Sequence, residues 1–126
     1  MELKNQVLID VKVKDVIENT HNTIYHGLAN FDGNSLSFQI NDDSYCFSKV
    51  GSHYMTLEHE GEMSYSLDLK PNTSFETTLT VASYDVPIEC KCKNLSLFNE
   101  CWTIEYQIFQ MDSLLFHSLI TIQFEH

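Results

Sequence analysis

A chain of 126 residues with 43% hydrophobic content, four Gly and two Pro has the make-up of one globular domain, residues 1–126, and not of a collagen-like or linker-like polymer. Eighteen acidic residues stand against seven basic ones, a formal net charge of −11, and every base is a lysine, scattered between Lys4 and Lys93. Nucleic-acid binding draws its affinity from cations gathered on phosphates, so no nucleic-acid partner is expected; no apolar run approaches the ~20 residues of a membrane helix, so no membrane span is expected.

Residues 1–6 pass into a strand pattern without the apolar stretch of a secretory leader, so a cytoplasmic setting with reduced cysteines is expected. Val7, Ile9, Val11 and Val13 alternate with Leu8, Asp10, Lys12 and Lys14, the period-two signature of a half-buried strand. Residues 19–22 turn the chain, and residues 23–31 form a second strand in which Gly27 marks a bulge or bend. Asp32-Gly33-Asn34 is the clearest hairpin signal, since Gly and Asn tolerate positive φ, and Leu36, Phe38 and Ile40 resume the alternation. A turn at residues 41–44 leads to strands at 45–50 and 54–59. Glu60-Gly61-Glu62 then makes a hairpin into Met63, Tyr65, Leu67 and Leu69 on one face.

Lys70-Pro71-Asn72 breaks the pattern, because proline cannot donate to a ladder. Phe75, Thr77, Leu79 and Val81 share one face of the next strand, and Val86, Ile88, Cys90 and Cys92 one face of the strand after it, with Glu89, Lys91 and Lys93 outside. Residues 95–100 read as a connection to a last hairpin. Trp102, Ile104, Tyr106 and Ile108 form the apolar face of its first strand; Phe116, Ile120, Ile122 and Phe124 form that of its second, with His117, Thr121, Gln123 and Glu125 opposite. About ten short strands, spaced every 8 to 12 residues and joined by local turns, predict an all-β, antiparallel up-and-down barrel of about 8–10 strands. A two-sheet sandwich is the alternative.

The order of these segments resembles the YwiB-like family of small, uncharacterised bacterial proteins. The resemblance is carried by residues 7–17, the turn at Phe31-Asp32-Gly33-Asn34, the hairpin at Leu57-Glu58-His59-Glu60-Gly61, residues 75–84 and 102–106, and Leu119-Ile120-Thr121-Ile122. It implies a calycin-like (lipocalin-like) barrel and brings no established activity. Such relatives tend to carry an Arg before the hairpin Gly and an aromatic-Gly pair in the middle strand; here His59-Glu60 and Tyr84-Asp85 stand in those places.

Chemistry-bearing motifs are sparse. Cys90-Lys91-Cys92 places two thiols on one strand face, but structural zinc usually takes four ligands, so the pair reads as buried small side chains, with no metal and no cofactor. None of His21, His26, His53, His59, His117 and His126 falls in a metal or catalytic motif, and each is expected at the surface. The sequence shows no phosphate loop or nucleophile elbow, and an enzyme is not expected. What remains is the barrel interior. Tyr65, Leu67, Phe75, Trp102, Ile104 and Tyr106 are the expected lining, suited to a small apolar or amphipathic ligand rather than to ions or nucleotides. The alternative is a ligandless interaction or scaffolding protein that uses its acidic surface or a strand edge to meet a basic partner. The protein partner, the ligand and the oligomeric state are not legible in the sequence.

Overall fold

The structure, a computed structural model, describes residues 5–98 and 100–125. All regular structure among them is β: β1 (Gln6–Asp15), β2 (Thr20–Phe31), β3 (Ser35–Ile40), β4 (Asp43–Gly51), β5 (Tyr54–Glu60), β6 (Met63–Leu69), β7 (Ser74–Val81), β8 (Tyr84–Phe98), β9 (Cys101–Gln110) and β10 (Ser113–Glu125). Each strand pairs antiparallel with its chain neighbours, and β1 pairs with β10, closing an up-and-down barrel of ten strands rather than a sandwich.

Alternation sets the register. Ile9, Val11 and Val13 lie opposite Phe124, Ile122 and Ile120 across β1 and β10, and Ile122 and Ile120 lie in turn opposite Trp102 and Ile104 on β9. A shift by one residue would turn these side chains out to water. The inner face is apolar, while Lys12, Glu58, Lys91, Lys93 and Gln123 are exposed outside, the reverse of the order in a membrane-spanning barrel.

Up-and-down order gathers the turns after β1, β3, β5, β7 and β9 at one end, here termed the mouth, and the remaining connections at the other, the base. The base is packed solid. Ile9, Leu36, Met55, Leu69 and Ile122 are wholly buried there, beside an aromatic cluster in which Trp102 and Phe31 each lie 5.1 Å, ring centre to ring centre, from Phe124.

Several boundaries differ from the sequence reading, each for a local reason. The first turn falls at residues 16–19, with Asn19 at φ 54°, and β2 begins at Thr20. The bulge of β2 lies around Ile24, opposite Val11 and Lys12, while Gly27 sits in regular register with Ile9. The glycine instead leaves room for Tyr25, whose hydroxyl would lie 3.0 Å from an added Cβ. Residues 95–98 are not a connection: β8 continues to Phe98, and a bulge between Cys92 and Asn94 re-phases it so that Leu95 and Leu97 pair with Ile104 and Trp102 and pack into the core. Ala82 and Ser83 both take positive φ, 49° and 71°, and form a tight hairpin turn without the usual Gly or Asn.

Two seams of the barrel are short. β2 and β3 are in register only at Asn30↔Ser37 and Phe31↔Leu36, next to the base, and β6 and β7 only at Met63↔Val81 and Ser64↔Thr80, next to the mouth, among the described residues.

Truncating Trp102 to Ala removes the centre of the basal aromatic cluster, and the expected cost is about 3–5 kcal/mol. Urea denaturation of the Trp102→Ala variant checks this; a midpoint equal to that of the parent would contradict the packing described.

Candidate ligand site at the mouth of the barrel

Cross-strand pairing lays a row of rings along the inner face near the mouth. Tyr25 of β2 stacks on Phe38 of β3 at 4.9 Å between ring centres, and Phe38 on Tyr45 of β4 at 5.3 Å. Tyr45 lies 4.6 Å from His59 of β5, which lies 5.0 Å from Tyr65 of β6. The row follows from register, since Phe38↔Tyr45, Tyr45↔His59 and His59↔Tyr65 are directly opposed pairs. Tyr106 of β9 continues it. Burial pushes the Tyr65 phenol up, and the neighbouring Tyr106 hydroxyl adds to the effect; burial likewise pushes Tyr106 up to about 12. Both phenols stay neutral at ordinary pH.

Of these rings, Phe38, Tyr45, Tyr65 and Tyr106 border a cavity of about 350 Å³ that Asp15, Asn22 and Ile24 border as well. A smaller recess of about 130 Å³ shares Tyr65, Tyr106 and Ser118 with it and is otherwise apolar, between Met63, Leu79, Ile88 and Ile108. Tyr45 also faces a groove at the rim that contains Asp43, His59 and Glu62. A ligand of a dozen or so heavy atoms matches a cavity of this size.

His59 is the unusual residue of the site. It is only 7% exposed, and neither ring nitrogen makes a hydrogen bond within the described residues. Nε2 lies 3.3 Å from Asp43 Oδ1 but out of line for a hydrogen bond. Leaving a buried polar group unpaired costs about 1–3 kcal/mol, so such a side chain calls for a partner. Gly61 makes the arrangement possible: a Cβ there would fall 1.8 Å from Asp43 Oδ1, and any other residue would push the carboxylate away from its place beside His59.

The expectation of a surface position therefore fails for His59, because β5 carries Met55, Leu57 and His59 on one face. His117 does face outward, with Nε2 2.7 Å from Glu105 Oε2. Of the six residues expected to line the interior, Tyr65 and Tyr106 border the mouth cavity. Leu67, Trp102 and Ile104 are buried within the packed core, and Phe75 is half-buried on the side of β7 that carries Leu79. The sequence pattern does not point to Tyr25, Phe38, Tyr45 or Asp43 as site residues, and it points to the surface for His59. The parity of β3, β4 and β5 was the signal available for them. On the outer wall, Asp10, His26 and Glu125 bring possible ligand atoms within 4.8 Å of one another. Lys12 lies 3.7 Å from Asp10, and the group reads as an exposed ion-pair network.

No family model matches the sequence, and no curated protein matches it. Among solved structures, the crystal structure of the ywiB protein from Bacillus subtilis superposes with a TM-score of 0.57 over 96% of this chain and 91% of that one, at 12% sequence identity. The two chains share a fold. At that identity the likeness concerns the barrel and its strand order, and the mouth has to be read from this chain's own residues.

The four cysteines are free; Cys46 and Cys101 are half-buried, and Cys90 and Cys92 lie buried side by side on the inner face of β8. Burial pushes the Cys90 thiol up to about 12 and the Cys92 thiol up to about 11, from an ordinary value of 9.0. Thiols held in this way are poor nucleophiles at neutral pH. Because these groups bind protons more tightly in the folded than in the unfolded state, their contribution to stability is complete below pH 9.0 and is lost as pH rises towards about 12. The urea midpoint is expected to fall between about pH 9 and about pH 10.5, and to fall less steeply in Cys90→Ala, measured at matched ionic strength.

Proposed function

We propose that this chain is a YwiB-like barrel that binds a small amphipathic molecule in its mouth, a cytoplasmic binding protein rather than an enzyme. The observation that carries this reading is the open cavity of about 350 Å³ with Phe38, Tyr45, Tyr65 and Tyr106 in its wall, next to a rim groove that holds a buried histidine with no hydrogen-bond partner among the described residues. Aromatic faces hold an apolar body at low entropic cost, and a few polar groups at one end orient it. A binding rather than a catalytic role is supported by the neighbours of these rings. The phenols of Tyr45, Tyr65 and Tyr106 and the thiols of Cys90 and Cys92 are all pushed up, so none is an activated nucleophile at neutral pH.

A second reading, a ligandless interaction protein, draws on the hairpin between β9 and β10. Its tip exposes Met111, Leu114, Leu115 and Phe116 together. The open, aromatic-lined cavity favours the first reading over this one, since a barrel without a guest gains stability by filling its interior with side chains.

Fluorescence titration with N-phenyl-1-naphthylamine tests the proposal. Saturable binding near one dye per chain is expected, weakened roughly two- to tenfold in Tyr45→Ala, as befits the loss of one aromatic contact. A folded protein that shows no saturable binding would defeat the proposal and leave the interaction reading in its place.

A further inference from the structure

We infer that the guest is an organic cation, a protonated primary or secondary amine carrying an apolar or aromatic body. The inference rests on the ligand-binding reading above and concerns the charge of the ligand's polar end. Three carboxylates border the mouth and its rim groove: Asp15 in the cavity, and Asp43 and Glu62 in the groove. Among the described residues no lysine borders the cavity, the recess or the groove. Two of the lysines are held over rings elsewhere, Lys91 4.8 Å over Phe109 and Lys70 5.5 Å over Tyr54, and Lys12 and Lys14 border a separate groove. An anionic head group, such as a fatty-acid carboxylate, would enter a desolvated mouth among like charges and find no counter-charge.

An ammonium group finds both kinds of partner that it needs. Asp43 Oδ1 lies at the half-exposed rim, 3.3 Å from His59 Nε2 and unaligned with it, and can accept an N–H donor there, while a small shift of the buried, unpartnered His59 ring would bring a ring nitrogen to the same donor. The rings of Tyr45 and Tyr65 flank His59 at 4.6 and 5.0 Å and place electron-rich π systems near that spot, the kind of neighbour a cation favours. Tyr45 borders both the groove that holds Asp43 and the cavity below, so an amine at the rim can direct its apolar body inward past that ring. Gly61 takes its place in the same design. It admits the Asp43 carboxylate to the spot where an ammonium group would meet it.

Displacement of bound N-phenyl-1-naphthylamine by two amphiphiles with the same chain, decylammonium and decanesulfonate, each below its micellar concentration, tests the inference. Decylammonium is expected to displace the dye at a concentration about tenfold lower than decanesulfonate. That preference is expected to shrink severalfold in Asp43→Asn and in His59→Leu, and to persist in Glu58→Gln, which alters a charge on the outer face. Equal displacement by the two amphiphiles, or a preference for the sulfonate, would overturn the cation inference while leaving the ligand-binding reading intact. A preference that survives Asp43→Asn and His59→Leu but disappears when salt is raised to about 150 mM would also overturn it, as the mark of the chain's overall negative charge. Absence of dye binding by the folded parent would remove both readings together.

Discussion

The pairing of β1 with β10 is the constraint on which the rest of this molecule depends. Ile9, Val11 and Val13 meet Phe124, Ile122 and Ile120 across that seam, and their side chains enter a core already shared with Trp102 and Ile104. Closure removes the two outer edges that an open ten-stranded sheet would expose. It also forces every strand's apolar side to the same interior, so the parity of one strand is held by the parity of all the others. A residue that breaks the apolar pattern on an inner face is then carried inside whatever its chemistry. His59 is such a residue. Its burial is a consequence of the register of β4, β5 and β6.

The interior divides into two regimes. At the base, aliphatic and aromatic side chains fill the space, and Phe31, Trp102 and Phe124 interlock as tilted rings. Towards the mouth the side chains become amphipathic, with tyrosine, histidine and serine in place of leucine and isoleucine, and the packing opens into a cavity. The base can supply stability for the whole barrel, which leaves the mouth free to hold polar groups without full internal satisfaction. A division of this kind is what the proposed binding role would require, since a rigid floor would position the groups that face a guest.

Much of the fold was legible in the sequence because ten strands alternate cleanly enough to show which side is wet. The departures arise where geometry interrupts the period. The bulge after Cys92 shifts the phase of β8 and so disguises Leu95 and Leu97 as part of a connection, and the turn at Ala82-Ser83 uses residues that carry no turn signal. The candidate site was less legible for a different reason. Tyr45, His59 and Tyr65 belong to three strands, and only their mutual register makes them neighbours. The approach of Asp43 to His59 depends further on the bare backbone of Gly61, a contact that no spacing within one segment encodes.

The two short seams give the barrel a mechanical character. Read around the circumference, β3 to β6 form one curved leaf and β7 through β10 to β1 and β2 the other. The leaves are latched near the base on one side and near the mouth on the other. Above the latch at Asn30 and Phe31, β2 and β3 diverge, with Asn22 and Ile24 on one lip and Phe38 on the other, all bordering the mouth cavity. Widening that slit breaks no ladder pair, because none spans it. Ladder hydrogen bonds are missing along this line, as they are along the basal part of the β6–β7 seam, and what bridges the slit is the stack of Tyr25 on Phe38. The cavity is thus closed on this flank by side chains and not by backbone pairing, and a guest of the kind proposed would have an approach there as well as end-on.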